Sequence, residues 1–538
     1  MSIPAHSEVS VDMESKVLTT GFLSLRSRGG MNATIEILCA ESYERPLSQD
    51  NGQGPPPRRF KDDRSQYNGN ELYGPVDTYK CGTGDNTYEP FWFRTFRYVR
   101  LTVRTQDEPL NIMGFDYRAT HYPLDVQTVV KSAPDLHDMW RISLNTLRNC
   151  MHETYEDCPY YEQNQFAMDS RIQILFTYQI SRDDRLARKT IHEFHASRRD
   201  DGLIETHFPV PFRSINIPQF SLYWILMLHD HMMYFGDKQL LRTYFGTMDG
   251  ILEHFNQRIN NQGLVGKFDD ETWPFVDWVK EWFAPGGLQF MGIPPAYRQY
   301  GAATYNSLIY AMVLQHAAEL CEWINRQDVA KEYRHRAQAL NDAVNEHCLV
   351  DGIYVDGPGA VEACQHNQIF AVLSGAVQGP SAAELLRTAV NNNNLPKCTF
   401  AMSFYVFRAA AKVGLYEELF PTIIEPWKKM INQNLTTWAE DDTMFRSDCH
   451  GWSSAPIYEI VAELFGLKPA KPGYEILSIE PKFQQTGEGC FVVAGGKINI
   501  SVDSTPKRVT VEANFDATIT TNRVGLVSAK KGEPLALV

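Results

Sequence analysis

Two segments of the sequence combine carboxylates with aromatic side chains. The first, Glu153–Arg171, contains three tyrosines and four acids, followed by a fifth acid at Asp169. The second, Thr436–Trp452, combines acids with two tryptophans. Carboxylates exchange protons and hydrogen-bond hydroxyl groups, and aromatic faces pack on the C–H side of a sugar ring. A single acid is more often a helix cap or a solvated group. Both clusters together indicate cleavage of a glycosidic bond.

The chain between these segments has a helical pattern of apolar residues. One clear stripe at helical spacing consists of Leu308, Ile309, Met312, Val313, Ala317 and Leu320. The same test over residues 130–465 predicts about twelve helices. We expect them to begin near residues 131, 167, 183, 218, 237, 304, 325, 367, 380, 400, 415 and 454.

The predicted connectors alternate between short and long. Short turns are expected near Arg182, Gly236, Asn325, Gly379 and Gly414, and long loops at 151–166, 199–217, 260–303, 349–366, 391–399 and 432–453. Helical hairpins with this alternation carry their long loops on one face, and six of them can close into an (α/α)6 toroid. An open α-solenoid is the alternative, but the sequence lacks its fixed repeat period. Closure would bring the first and last loops, with their acids, to a common cleft.

Both ends of the chain have the alternating pattern of β-strands. Tyr98–Arg104 and Thr34–Ile37 alternate near the start, and Ile498, Ile500 and Val502 share one strand face near the end. We therefore predict a multidomain, mainly α protein. An N-terminal β-sandwich (1–126) and a small C-terminal β-sandwich (467–538) flank an (α/α)6 barrel (127–466). Residues 49–70, rich in Pro, Gly and charge, are predicted to form a long surface loop.

Composition limits the partners. The 538 residues carry a net charge of -14, which argues against nucleic acid or an anionic membrane and suits a neutral glycoside. No signal peptide is visible, so a cytoplasmic location is expected, although a secreted chain trimmed at its start would look the same. Phosphate-loop and dinucleotide motifs are absent, so no cofactor is expected. The ten cysteines lack CxxC pairs and are expected to be free buried thiols.

The acid motifs resemble those of the glycoside hydrolase family 78 α-L-rhamnosidases. Asp157-Cys-Pro, then Glu162 and Asp169, is similar to the family's D-C-P-x-x-E…G-D motif. Thr436-Thr-Trp-Ala-Glu440 resembles its T-T-x-W-E element, and Phe275-Val-Asp-Trp278 resembles a G-D-W stretch. The likeness extends to the β-rich ends. Three departures concern the sugar more than the reaction: Met168 for glycine, Gln163 for arginine, and Trp438 shifted by one position.

The resemblance implies roles for these residues. Glu162 would be the general acid and Glu440 the general base of an inverting hydrolysis of terminal α-L-rhamnosides. Their carboxyl groups would then lie about 6.5–9.5 Å apart. Asp157 and Asp169 would hold the sugar hydroxyls, with Arg171 and His450 as weaker candidates. The other predicted substrate-binding residues are Asp277, Trp278, Trp438 and Trp452.

Alternatives stay open at this level. The same machinery could act on another sugar or an unusual aglycone, or the fold could serve as a non-hydrolytic binding or biosynthetic module. No metal site is expected, because Cys158 and Cys449 lack zinc-like spacing with His152 and His450. Other histidines and tryptophans also have structural interpretations. His229 and His231 are expected on the surface or in the core, and at least one of Trp273, Trp278 and Trp282 is expected to line the cleft.

Overall fold

A computed structural model describes residues 1–46, 59–131, 134–210, 216–442, 446–482, 486–504 and 507–537. The chain divides into two compact units. The N-terminal unit comprises Met1–Pro123, Ile142–Gln163 and Trp427–Ser453, and the helical unit comprises Leu124–Arg141, Asn164–Pro426 and Ser454–Val538. The predicted domain boundaries after residues 126 and 466 stay a prediction.

Ten strands, β1 to β10, lie in the described part of the N-terminal unit. Their bounds are Ser2–Ile3, Glu8–Gly29, Thr34–Ala40, Tyr43–Pro46, Arg59–Phe60, Glu71–Leu72, Val76–Lys80, Asp85–Tyr88, Arg94–Arg104 and Leu110–Ala119. Seven form one sheet in the order β1-β10-β2-β9-β3-β7, with β8 also paired to β2, and β4 pairs with β5 and β6. The strands predicted at 34–37 and 98–104 are confirmed as parts of β3 and β9.

The alternation in these strands builds a core. Strands β3 and β9 are antiparallel, with Ile35 opposite Val103 and Ile37 opposite Leu101. All four side chains are buried in one cluster, because alternate residues of a strand point to the same face. The prediction of a surface loop over 49–70 holds only in part, since residues 65–70 are exposed or half-buried. Within the predicted surface loop 49–70, residues 49–58 lie outside the described part, whereas Lys61 and Arg64 are buried among acidic groups.

Fourteen α-helices, α1 to α14, follow within the described residues. Their bounds are Pro134–Asn149, Ala167–Ile180, Arg185–Ala196, Pro218–Phe235, Lys238–Asn256, Pro295–Tyr300, Thr304–Trp323, Gln327–His347, Gln365–Ser374, Gly379–Asn391, Phe400–Lys412, Tyr416–Ile423, Glu425–Asn432 and Pro456–Tyr458. The predicted starts agree to within a few residues. The short helix α6 was not predicted. The single helix predicted from residue 415 is two, α12 and α13.

Two classes of helix alternate along the helical unit. Helices α2, α4, α7, α9 and α11 are buried on nearly every side, whereas α3, α5, α8 and α10 bury one face, as amphipathic outer helices do. The buried helices contact one another in succession: α2 with α4, α4 with α7, α7 with α9, and α9 with α11. Helix α14 contacts α2, and its Tyr458 ring lies 5.3 Å from that of Phe404 in α11.

The remaining strands, β11 to β21, lie in the helical unit. Their bounds are Val129–Lys131, Leu349–Val350, Ile353–Tyr354, Leu467–Pro469, Leu477–Ile479, Gly487–Val493, Gly496–Ser504, Lys507–Ala513, Ala517–Thr521, Gly525–Ala529 and Leu535–Leu537. They form a five-stranded sheet (β11-β16-β17-β18-β21), a four-stranded sheet (β14-β15-β19-β20) and the hairpin β12-β13. The predicted strand face is confirmed, since Ile498, Ile500 and Val502 of β17 are all buried.

Two further observations concern the whole described chain. All ten cysteines are free, and eight of them are buried, which confirms the expectation of unpaired thiols. None of the described helices combines the length and the apolar character needed to cross a lipid bilayer.

A half-buried arginine links α11 to the chain that follows α14. Arg408 forms ion pairs with Glu459 and Glu463, whose side chains are both 1% exposed. Glu463 also pairs with Lys468, at 3.0 Å, and with Lys482. Burial raises the pKa of Glu459, and Arg408 only partly opposes this, leaving it at about 7. The cation therefore stabilises two carboxylates that have little access to water.

Replacing Arg408 with Met should destabilise the protein by about 3–5 kcal/mol, because removing one member of a buried ion pair leaves its partner charge uncompensated. Chemical denaturation measures the change. Arg387→Met is the matched control, because Arg387 also bridges two glutamates, Glu384 and Glu418, but at the surface. The control should unfold like the wild type. Equal stabilities of the two variants would contradict the prediction.

Candidate active site

One arginine joins the two predicted catalytic residues within the N-terminal unit. Arg446 Nε donates to Glu440 Oε2 at 3.1 Å, and Arg446 Nη2 donates to Glu440 Oε1 at 3.3 Å and also to Glu162 Oε1. Because one nitrogen serves both carboxylates, their nearest oxygens lie within about 6 Å, two hydrogen-bond lengths. The carboxyl carbons are set back from these oxygens, so the separation expected for an inverting pair stays a prediction.

The two carboxylates differ in exposure and pairing. The side chain of Glu440 is 2% exposed and has two contacts with Arg446, whereas that of Glu162 is 29% exposed and has one. Burial lowers the pKa of Arg446, but the two glutamates outweigh this effect and raise it. The guanidinium therefore stays charged and bridges the two carboxylates, with two hydrogen bonds to Glu440 and one to Glu162.

The backbone around Glu440 is fixed by hydrogen bonds. Its amide donates to Ser447 O at 3.0 Å, and its carbonyl accepts from Trp452 Nε1 at 2.9 Å. The Trp438 indole is fully buried and donates to Ser143 Oγ at 2.7 Å. Both tryptophans were predicted to bind sugar. Their N–H groups are instead engaged within the protein, which favours an anchoring role.

The loop that carries Glu162 is closed by Gln163, the residue found where the family has arginine. Gln163 adopts a positive φ of 55°, which non-glycine residues seldom do. Its side chain accepts from Trp92 Nε1 at 2.9 Å and donates to Pro159 O at 2.9 Å. Gln163 therefore holds the turn directly after the predicted general acid.

Asp157 and His450, both predicted to bind substrate, come together beside Cys158. All three residues are buried, and their potential ligand atoms lie within 4.8 Å of one another. The Cys158 thiol donates to Asp157 Oδ2 at 3.0 Å, and the Gly451 amide donates to Asp157 O at 2.8 Å. Asp, Cys and His together could hold a metal ion. Sequence spacing missed this group because its members come from two distant segments.

Asp169 and Arg171 lie in the helical unit, in the first turns of α2. Asp169 is buried. The Arg171 guanidinium is paired with Asp230 in α4 at 2.9 Å and lies over the Phe404 and Tyr405 rings of α11. Burial lowers the pKa of Arg171, but attraction to Asp230 together with the nearby tyrosines outweighs this effect and raises it. This placement favours a structural role for Arg171, as a cation that joins three buried helices.

Asp277 also lies in the helical unit and is surrounded by donors. It accepts from His366 Nε2 at 2.7 Å, from the Thr399 amide at 2.8 Å and from the Thr399 hydroxyl. The amide of Trp278 donates to it at 2.8 Å. Asp277 is 1% exposed, so its placement favours fixing the long loop over contacting a sugar.

The three tryptophans of this loop differ in burial. Trp278 and Trp282 are buried, and the Trp282 ring lies 4.9 Å from that of His366. Trp273 is only partly buried, and its indole donates to Met291 O at 2.9 Å. Trp273 is thus the most accessible of the three, and its contact with a sugar stays a prediction.

The segment that follows Arg446 is held by a buried charge cluster that the sequence did not reveal. Lys61 Nζ donates to Arg446 O at 2.6 Å and pairs with Glu41, Glu44 and Asp448, each at 3.3–3.4 Å. Arg64 also pairs with Asp448, at 3.0 Å. Every side chain in the cluster is at most 5% exposed.

Two acids of this cluster have pKa values shifted in opposite directions. Burial raises the pKa of Asp448, but Arg64 and Lys61 outweigh it and hold the value at about 2. Burial dominates at Glu41 and raises its pKa to about 8, with Lys61 opposing. Asp448 is therefore the anion that both cations neutralise.

Arg446 and the charged residues around it are not among the site residues predicted from the sequence. A basic residue six positions after Glu440, within an acid-rich segment, was a usable signal for Arg446. Arg64 and its partner Asp448 are 384 positions apart, and no spacing rule connects them.

Comparison with known proteins identifies the family. Residues 125–462, more than half of the chain, match the family described as the bacterial α-L-rhamnosidase six-hairpin glycosidase domain. The chain belongs to this family. It has the six-hairpin glycosidase fold, with both helices and sheets, and the resemblance noted in its acid motifs is confirmed.

Several solved structures share the fold. A family 78 rhamnosidase from Bacillus sp. GL1 is 20% identical, with a TM-score of 0.80, over 96% of this chain and 53% of that one. A Klebsiella oxytoca rhamnosidase with rhamnose bound is 21% identical, with a TM-score of 0.68, over 85% and 88%. An α-L-rhamnosidase from Aspergillus terreus is 15% identical, with a TM-score of 0.72, over 100% and 63%. The chain spans about half the length of the Bacillus enzyme. No curated protein matches it.

Replacing Lys61 with Met should destabilise the protein by about 3–5 kcal/mol, because Glu41 and Glu44 would lose the cation they share and Asp448 would keep Arg64. Adding Glu41→Gln should recover part of the loss, since near neutral pH folding forces this buried carboxyl group to take up a proton, a cost that glutamine does not carry. Chemical denaturation measures both variants, and Lys16→Met at an exposed position is the control. If the double variant is no more stable than Lys61→Met alone, Glu41 is not part of the balance.

Proposed function

We propose that this protein hydrolyses terminal α-L-rhamnosides by a single inverting displacement. The observation that carries the proposal is the shared guanidinium of Arg446, which brings Glu162 and Glu440 together on the two motifs typical of the family. The bound rhamnose of the Klebsiella relative supports the choice of sugar.

The proposed architecture is an (α/α)6 toroid (127–466) between an N-terminal β-sandwich (1–126) and a C-terminal one (467–538). The unbroken succession of contacts from α2 through α4, α7, α9 and α11, with α14 against α2, supports closure of the helices into a ring. The alternation of fully buried and one-sided helices supports an inner and an outer layer.

The chemistry assigns one proton transfer to each glutamate. Glu162 protonates the glycosidic oxygen, and Glu440 takes a proton from the water that attacks the anomeric carbon on the opposite face. Glu440 acts in this step as a carboxylate base, held in position by its two hydrogen bonds with Arg446. Glu162 must be protonated, so its single contact with Arg446 has to be released as the substrate enters.

Three of the remaining predicted residues would bind the sugar, and the others would support the site. We assign Asp157, Asp169 and His450 to the rhamnose hydroxyls, because buried carboxylate and imidazole groups are strong and directional hydrogen-bonding partners. Arg171, Asp277, Trp278, Trp438 and Trp452 would support the site through the internal contacts described above.

A panel of chromogenic α- and β-glycosides tests the substrate. Release from the α-L-rhamnoside is expected, and proton NMR should show the inverted β-L-rhamnose before mutarotation. Initial release of the α anomer would contradict the inverting mechanism. Cleavage of another glycoside alone would indicate a different sugar, and binding of rhamnosides without cleavage would indicate a non-hydrolytic module.

Two substitutions should separate catalysis from binding. Glu440→Gln keeps the shape but removes the base, so kcat should fall by roughly 10²–10⁴-fold with little change in affinity. Asp169→Ala removes hydrogen-bond acceptors for the sugar, so affinity should weaken together with the rate. Steady-state kinetics and calorimetry on the same preparations measure both. Wild-type behaviour of both variants would mean that these carboxylates are structural.

A further inference from the structure

A second group of chemically competent side chains lies in the helical unit and shares no residue with the proposed active site. It consists of His229 in α4 with His316 and Glu319 in α7. His229 Nε2 lies 2.8 Å from Glu319 Oε2, and His316 Nδ1 lies 3.8 Å from the same oxygen. One ligand atom from each residue falls within 4.8 Å of the others.

The convergence follows from helix packing. His316 and Glu319 are three residues apart, so they lie on the same face of α7, one turn from each other. Helix α4 packs against α7 and brings His229 to that face, where the two imidazole rings lie 4.4 Å apart. The Trp323 ring, 5.3 Å from that of His229, limits how far that imidazole can turn.

One nitrogen of this group forms no hydrogen bond within the described part of the chain, and the group is accessible to solvent. His316 Nδ1 is buried and has no hydrogen-bond partner among the described residues. The side chains of His316 and Glu319 are nevertheless 34% and 41% exposed, so the group is reached from solvent. A small cation could enter here, and a water molecule could complete its coordination.

We propose that His229, His316 and Glu319 bind one divalent cation of the zinc class. Two histidines, one glutamate and a water molecule form a known zinc donor set. Imidazole with carboxylate favours Zn²⁺, Ni²⁺ or Cu²⁺ over Mg²⁺ and Ca²⁺, which prefer oxygen ligands alone.

The distances are compatible with this proposal. A tetrahedral site with bonds of about 2.0–2.1 Å needs ligand atoms about 3.3 Å apart. The contacts of 2.8 and 3.8 Å to Glu319 Oε2 lie on either side of that value. Side-chain rotations that move the ligand atoms by about 1 Å would bring both distances to the value that a tetrahedral site needs. The bound ion would cross-link α4 and α7, which predicts a stabilising role.

Titration of the tag-free, chelator-treated protein with zinc sulfate tests the proposal. Calorimetry should give one equivalent of tight binding, together with a rise in Tm, because a ligand bound only by the folded state stabilises it. Magnesium chloride at the same concentration should have no such effect. Cobalt(II) should give the visible absorption of a four-coordinate site.

Variants identify the ligands. His316→Ala and His229→Gln should each lower zinc affinity at least 100-fold, while their Tm in chelator stays near that of the wild type. Glu319→Gln replaces either variant that fails to fold. His347→Gln is the matched control, because His347 lies 3.9 Å from Glu346 on α8 as a simple pair, and it should bind zinc like the wild type.

Three results would overturn the proposal. The first is no zinc binding by the wild type, and the second is binding that persists unchanged in the His316 and His229 variants. The third is loss of the bound equivalent in Cys158→Ser alone, which would assign the ion to the group formed by Asp157, Cys158 and His450. None of the ligands is assigned to catalysis, so rhamnoside hydrolysis should be unchanged in His316→Ala. If the wild-type protein does not hydrolyse rhamnosides at all, the proposed function is wrong but the zinc-binding test is unaffected.

Discussion

A carboxylate removed from water must find a cation or give up its charge, and the candidate site depends on how Arg446 meets that requirement. Glu440 is almost fully buried, and its charge is compensated by two contacts with the guanidinium. The third contact of Arg446 reaches Glu162. Because leaving either charge unpaired is costly, the ion pair fixes where the two glutamates lie.

The same constraint extends outward from the site. Two residues after Arg446, Asp448 carries the opposite charge and is neutralised by Lys61 and Arg64. The segment from Arg446 to Asp448 is thus held by ion pairs at both ends. Its cation pairs with the two glutamates, and its anion pairs with Lys61 and Arg64. Ion pairs of this kind add little net stability, but the cost of breaking them limits the segment to one arrangement.

Two aromatic residues near the acids have their indole N–H groups engaged within the protein. Both rings are buried; Trp452 donates to the carbonyl of Glu440, and Trp438 donates to the hydroxyl of Ser143. A tryptophan buries a large apolar area and has one polar atom to satisfy, so a position beside an ordered loop suits it well. Proximity to catalytic acids in the sequence therefore does not distinguish an anchor from a platform.

The sequence by itself determined most of the long helices and the clearly alternating strands, because the periodicity of apolar residues reflects which face of each element is buried. The short helix α6 and the break between α12 and α13 left no such pattern. It also determined the pair Glu162 and Glu440, whose motifs are local strings of residues. Only the tertiary structure decided the partners of those residues. Arg446, Lys61 and the donors around Asp277 are set by contacts between segments far apart in the chain, and the same holds for His229 with His316 and Glu319. The local sequence pattern indicates whether a side chain is buried or exposed. Its charge partner depends on which distant segment of the chain folds against it.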